Sequence, residues 1–84
     1  MTAAQRCLDA GYEDVILLES YSYDDALVGV TDDGRAVYDF DKMVVWLMIE
    51  ADMTQEEAIE WIEYNTIRAL PYAGEDAPII MYRV

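Results

Sequence analysis

Residues 26–40, ALVGVTDDGRAVYDF, leave the fewest choices of structure anywhere in the chain. Two strand-like runs flank Asp33-Gly34. Asp-Gly is typical of a two-residue type I′ turn, in which both central residues have positive φ. This predicts a β-hairpin whose turn fixes the strand register. The expected pairs are Asp32 with Arg35, Val30 with Val37, Gly29 with Tyr38, and Leu27 with Phe40.

Further elements are predicted on both sides of this hairpin. A short N-terminal helix is predicted, with Thr2 as its N-cap and Gly11 as the residue that ends it. The apolar run DVILLES, residues 14–20, predicts a strand in the middle of the sheet, and YSYDD, residues 21–25, predicts a polar loop. The final residues 77–84, APIIMYRV, predict a strand antiparallel to one already present.

Residues 41–50 predict a helix that is apolar on almost every side. Asp39 or Asp41 can cap it. The apolar residues 44–49 surround its axis nearly completely, whereas a helix lying on a sheet should have one side in solvent. Either this helix is buried between the sheet and a neighbouring helix, or part of it meets another chain.

The stretch TQEEAIEWIEYN, residues 54–65, begins a second helix. Thr54 and Glu57 match the S/T-x-x-E capping box that starts many helices. The helix is predicted to run to about residue 69, because Pro71 cannot continue it. On a helical wheel it buries one stripe. That stripe consists of Ala58, Ile59, Ile62, Thr66, Ala69 and Leu70.

The solvent side of this second helix is acidic and partly aromatic. It carries Glu56, Glu60 and Glu63, with Glu57, Trp61 and Tyr64 on the flank between these glutamates and the core. One interpretation is that the two rings close the edge of the core and that the glutamates are an ordinary solvated face. The other is that the rings anchor an interface, because tryptophan and tyrosine are favoured at interface hot spots.

The order of elements predicts a small α+β domain covering residues 1–84. It would have a small antiparallel sheet, built from a three-strand meander and a C-terminal strand, with a short N-terminal helix and a helical hairpin packed on it. Eighty-four residues suffice for one hydrophobic core. The longest apolar run, residues 43–49, is too short to span a membrane, and the N-terminus lacks a signal peptide, so a cytoplasmic protein is expected.

Little in the chain suggests catalysis. There is no histidine, and Cys7 is the only cysteine, so no disulfide or thiolate metal site is expected. Four pairs of neighbouring acidic residues occur in the chain. Acid-base catalysis by such a pair requires a pocket that separates the two pKa values, and the short chain has little material to form one. TDDGRAVYDFD lacks the spacing of a calcium-binding EF-hand, and no glycine-rich phosphate loop occurs. We therefore expect no catalytic residue, no cofactor and no metal.

Charge is the strongest functional signal in the sequence. Eighteen acidic residues against five basic ones give a net charge of −13. A compact domain of this length is about 30 Å across. Duplex DNA of that length carries about 18 phosphates. Such a protein repels nucleic acid and anionic membranes and attracts basic protein surfaces. No direct nucleic-acid or membrane binding is expected.

Three stretches, DDALVGVTDDGRAVYDFDKMV, MTQEEAIEWIEYNTIRALPY and APIIMY, resemble a family of small acidic proteins of unassigned function found in phages, prophages and other mobile elements of gut-type bacteria. The resemblance covers residues 24–82. It implies a bacterial host, and by class analogy a role like that of anti-CRISPR or anti-restriction proteins, some of which are DNA mimics. The family offers no assigned site residues to transfer.

Two functional hypotheses follow. The first is a non-enzymatic, DNA-mimic-like inhibitor that binds a basic nucleic-acid-binding groove, with a CRISPR effector complex as the suspected partner. Its partner-binding residues would be Glu56, Glu57, Glu60, Trp61, Glu63, Tyr64, Asp24, Asp25, Asp32 and Asp33. The second is an acidic interaction or regulatory module, in which the acidity serves only solubility and the first helix of the helical hairpin or a sheet face forms a homodimer.

Overall fold

The computed structural model describes all 84 residues, Met1–Val84, and confirms the α+β class. The helices are α1 (Ala3–Asp9), α2 (Phe40–Glu50) and α3 (Gln55–Trp61), and the strands are β1 (Leu27–Val30), β2 (Ala36–Asp39) and β3 (Ile79–Met81). The start of α1 is as predicted, because Thr2 Oγ1 accepts a hydrogen bond from the Gln5 amide. None of the helices has the length and apolar character that a membrane crossing requires.

The sheet is mixed, in the order β1-β2-β3. β1 and β2 are antiparallel, whereas β3 runs parallel to β2. The prediction of an antiparallel final strand was therefore wrong. The physical reason is the connection between β2 and β3, which consists of α2, α3 and the helical turns after them. A helical crossover of this kind carries the chain from the end of β2 back to the edge of the sheet at which β2 began, so that the next strand is parallel.

Residues 14–20 do not form the predicted central strand. They are irregular and lie outside the sheet, with Val15, Leu17 and Leu18 half-buried against the core. The Leu18 amide donates to Tyr38 Oη at 3.3 Å instead of to a neighbouring strand. An apolar run indicates burial, and here burial is achieved without strand pairing.

The hairpin forms at the predicted place but in a different register. Gly34 has φ +84°, whereas Asp33 does not have the positive φ that a type I′ turn requires. Instead, Gly34 N donates to Thr31 O at 2.9 Å, which gives a longer loop with a single left-handed glycine. All four predicted pairs are therefore wrong. The observed pairs are Leu27 with Tyr38, Gly29 with Val37, and Val30 with Ala36, with an irregularity between Leu27 and Gly29.

Replacing Gly34 by alanine is expected to lower the free energy of unfolding by about 1 kcal/mol, because a Cβ disfavours the left-handed backbone. A Cβ at Gly34 would meet no atom within 4 Å, so the cost comes from the backbone alone. Gly29→Ala is the control, since Gly29 has equal space and no positive φ. Urea unfolding measures both. Equal effects of the two changes would contradict the left-handed turn.

The first helix of the helical hairpin, α2, is covered by the rest of the protein on one side only. Asp39 caps it by accepting from the Lys42 amide at 3.2 Å. Its inner side is buried against β2, α3 and the 3₁₀ turn Asp24–Ala26. Of the two alternatives left open by the sequence, complete burial within the chain is therefore wrong, because the outer side is exposed. The exposed apolar residues there are Val45, Met48 and Ile49.

The second helix begins as predicted but changes its geometry. Both hydrogen bonds of the capping box are present. After α3 the chain forms a π-helical turn, Ile62–Thr66, and a 3₁₀ segment, Ile67–Ala73, which contains Pro71. The predicted end before Pro71 was therefore wrong. Because the wide π turn shifts the inward face, Ile67 is half-buried and Ala69 is exposed, contrary to the predicted stripe.

An aromatic cluster lies at the centre of the core. Tyr23 was predicted to be in a polar loop, but its side chain is fully buried. Its ring centroid lies 5.4 Å from that of Trp46 and 6.4 Å from that of Tyr38. Tyr23 Oη and Thr66 Oγ1 are hydrogen-bonded at 3.3 Å. This contact joins the segment before β1 to the π turn and so fixes the position of the second helix.

Candidate functional site

Nearly all of the negative charge lies on the surface. Every acidic residue except Asp24 and Asp39 is exposed. The single ion pair joins Arg83 Nε to Asp39 Oδ2 at 2.5 Å. Two other arginines donate to backbone carbonyls, Arg6 to Asp24 and Arg35 to Ala77. No exposed carboxylate is therefore neutralised by a salt bridge within the chain.

Glu56, Glu60 and Glu63 form a row on the second helix, here called the acidic helix face. All three are exposed, and none takes part in an ion pair. Glu56 and Glu60 are four residues apart in α3 and therefore lie on the same side, and Glu63 follows in the π turn Ile62–Thr66. At 1.5 Å per residue the row spans about 10 Å, or about 5 Å per charge. One strand of DNA carries a phosphate about every 3.4 Å, so the linear charge density is of the same order.

A shallow cleft of about 360 Å³ borders the acidic helix face. Trp61 is half-buried in it and packs edge-on against Tyr21, with ring centroids 4.8 Å apart. Tyr64 is 60% exposed, and the Arg68 guanidinium lies 5.6 Å from its ring centroid. Trp61 therefore closes the edge of the core, as one interpretation expected, whereas Tyr64 is available for contact. The lining is completed by Glu57, Glu60 and Asn65.

Glu57 is held in place by the capping box. Its Oε1 accepts from the Thr54 amide at 2.9 Å, and its own amide donates to Thr54 Oγ1 at 3.2 Å. The hydrogen bonds from the backbone and side chain of Thr54 lower the pKa of Glu57 below its ordinary value. Glu57 thus adds a fixed negative charge beside the acidic helix face, but its first role is to start the helix.

The four aspartates proposed for the hairpin ends do not come together. Asp24 is half-buried, and its Oδ1 accepts from the Ala3 amide at 2.8 Å, so it fastens α1 to the rest of the fold. Asp25 is exposed near α2. Asp32 and Asp33 lie in the turn at the far end of β1, where Asp33 Oδ1 accepts from Thr31 Oγ1. The strand between the two pairs is about 13 Å long.

Two features of the site were not predicted. The first is a groove of about 480 Å³ along the exposed side of α2, and the all-round apolar pattern of residues 44–49 was its only signal in the sequence. The second is the Asp39–Arg83 ion pair, which spans 44 positions of sequence and has no local signal.

Neither feature is accompanied by a metal-binding arrangement, since no three histidine, cysteine, aspartate or glutamate side chains lie together as ligands.

Comparison of the chain with protein-family models, curated proteins and solved structures finds no match.

Proposed function

We propose that this protein is a non-enzymatic inhibitor that occupies a basic nucleic-acid-binding surface of another protein, with the acidic helix face taking the place of phosphates. The observation that carries the proposal is the row Glu56, Glu60 and Glu63, which are exposed and without counter-ions on a capped helix and the π turn that continues it. Basic side chains lose their hydration when a groove is covered, and an uncharged partner does not compensate for that loss. A row of carboxylates supplies the matching charges.

The rigid support of the row favours binding. The capping box fixes the start of α3, and Trp61 fixes its end against Tyr21. Side chains on a fixed helix lose less conformational freedom on binding than side chains on a mobile loop. Tyr64 then adds apolar contact area at the end of the row, where long-range charge alone gives little specificity.

The resemblance of residues 24–82 to mobile-element proteins directs the choice of partner to bacterial defence complexes. Among these, CRISPR effector complexes hold nucleic acid in a positively charged channel. The test is displacement of a fluorescent DNA duplex from a purified CRISPR effector complex. We expect displacement, and we expect the inhibitory affinity to fall about tenfold between low and physiological salt, because screening weakens charge pairing. An affinity indifferent to salt would rule out phosphate mimicry.

Replacing Glu56, Glu60 and Glu63 together by glutamine is expected to weaken displacement by about a hundredfold, at roughly 1 kcal/mol per charge. Glutamine has nearly the same shape and helix propensity, so folding should be retained. Circular dichroism checks the fold, and duplex displacement measures the affinity.

The matched control removes the same charge elsewhere, by Glu13→Gln, Glu75→Gln and Asp76→Asn. These three residues are exposed and lie outside the second helix. We expect this control to retain most of the activity. Equal losses in both triple variants would mean that only net charge matters, and the acidic helix face would then have no special role.

An interaction module is the second candidate, and the exposed apolar side of α2 favours it. In that case the Glu56, Glu60 and Glu63 variant would keep its partner, and substitutions on α2 would abolish binding.

A further inference from the structure

We propose that the groove along α2 binds a basic amphipathic helix of a partner protein, at a surface distinct from the acidic helix face. The groove has a volume of about 480 Å³ and lies between α2, the 3₁₀ turn Asp24–Ala26 and the C-terminal residues. Its floor is apolar and its rim is mostly acidic. The floor is formed by Val45, Trp46 and Ile49, and the acidic rim by Asp25, Asp41 and Glu50.

The aliphatic side chains of the floor are largely exposed to solvent. Ile49 is 72% exposed and Val45 is 51% exposed, although both lie within a helix whose other side is fully buried. Exposed aliphatic side chains that form a contiguous patch with a polar rim are typical of interaction sites. Trp46 lies half-buried beneath them, packed on Tyr21 and Tyr23, so the floor has a rigid base.

The spacing of the floor favours a helical partner. Val45 and Ile49 are four residues apart and therefore lie one turn apart on the same side of α2. A partner helix with apolar residues at i, i+3, i+4 and i+7 presents a stripe of the same period, which is how amphipathic helices fill grooves.

The charges of the rim favour a basic partner. Asp25, Asp41 and Glu50 are exposed and unpaired. Of the two cations in the rim, Lys42 and Arg83, the second is paired with the buried Asp39. Lysines or arginines that flank the apolar stripe of a partner helix would therefore meet an excess of carboxylates.

A second copy of this chain is a poor occupant of the groove. Each copy has a net charge of −13, and the rim residues would face their own kind across a symmetric contact. Like charges brought together at an interface oppose association. The same field attracts a basic segment from a distance.

Two synthetic peptides of about 18 residues test the proposal by isothermal titration calorimetry. Both consist of leucine and lysine in equal numbers. The first places its leucines on one helical face, and the second alternates leucine and lysine, so that it has the same charge but no helical apolar face. We expect the first peptide to bind at least about tenfold more tightly than the second.

Substitutions locate the binding surface. Ile49→Ser is expected to weaken binding of the amphipathic peptide about tenfold or more. Tyr72→Ser is the matched control, since Tyr72 is a large exposed apolar residue outside the groove, and it should leave binding unchanged. The glutamine variant of Glu56, Glu60 and Glu63 should retain peptide binding, which separates this site from the acidic helix face.

Three results would overturn the proposal. The two peptides could bind equally, which would show that charge alone is recognised. Ile49→Ser could leave the affinity unchanged, which would place binding elsewhere. Sedimentation could show a dimer of the unliganded protein that Ile49→Ser dissociates, which would make a second copy the occupant of the groove.

Discussion

Replacing Tyr23 by alanine is expected to lower the free energy of unfolding by about 3–5 kcal/mol, the range for removing a buried aromatic ring. The ring is fully buried, and it contacts Tyr21, Tyr38 and Trp46, with centroids 6.1, 6.4 and 5.4 Å away. Its removal would leave a cavity among side chains that small neighbours cannot fill. Domains of this size have a total stability of about 5–10 kcal/mol. The variant should therefore lose roughly half of its free energy of unfolding, as measured by urea titration.

The control for this prediction is Tyr23→Phe, which removes only the hydroxyl. The lost hydrogen bond to Thr66 should cost about 1 kcal/mol. Burial raises the pKa of Tyr23 above its ordinary value, so the hydroxyl is neutral throughout the usual pH range. Both variants keep the left-handed backbone of Tyr23, at φ +46°, so backbone strain cancels in the comparison. Equal costs for alanine and phenylalanine would show that the ring does not support the core.

Local signals in the sequence predicted local structure well. Thr2, Asp39 and Thr54 each lie three residues before an amide that they can cap, and all three make that hydrogen bond. Such contacts depend only on neighbouring residues. The Asp-Gly turn was found for the same reason. Its register was missed because a two-residue and a three-residue loop are both compatible with Asp33-Gly34, and φ at Asp33 decides between them.

Long-range contacts account for the other errors. The π turn places Thr66 against Tyr23, 43 positions away in the sequence, and no local pattern predicts that hydrogen bond. Residues 14–20 have the apolar composition of a strand, but they are half-buried without any strand partner. Apolar composition reports how much surface is buried. Which backbone groups pair is decided by the whole fold.

The candidate site likewise contains some residues that local sequence places and others that long-range contacts place. Glu56 and Glu60 lie on one side of α3 because helical periodicity alone places them there, and Glu63 follows in the π turn. The aspartates at the two ends of β1 are separated because their relative positions depend on the hairpin. The groove on α2 was visible in the sequence only as a helix with too many apolar sides. Its acidic rim includes Asp25, which comes from a distant element.

Replacing Asp39 by asparagine is expected to lower the free energy of unfolding by about 2 kcal/mol at neutral pH. Removing one partner of a buried ion pair costs about 3–5 kcal/mol. The expected value is smaller because the Arg83 side chain is 55% exposed and water can solvate it after the loss. Asparagine can still cap α2 through its carbonyl oxygen, but its amide group would face the Arg83 donor. Asp41→Asn, an exposed change on the same helix, is the control and should have little effect.

The pH dependence of this cost identifies the charge of Asp39 as its source. Burial by itself would raise the pKa of Asp39, but hydrogen bonds from Arg83 and the Lys42 amide, with the Arg83 charge, outweigh it and hold the pKa below its ordinary value of 3.8. Between the folded and unfolded pKa values the unfolded chain binds more protons, so folding stability rises with pH. The advantage of wild type over Asp39→Asn should therefore be complete at pH 7 and shrink as the pH falls below about 4. The other carboxylates are present in both proteins and cancel in this difference. Urea titrations at a series of pH values measure it, and a difference that stays constant into acid would show that asparagine disturbs packing rather than charge.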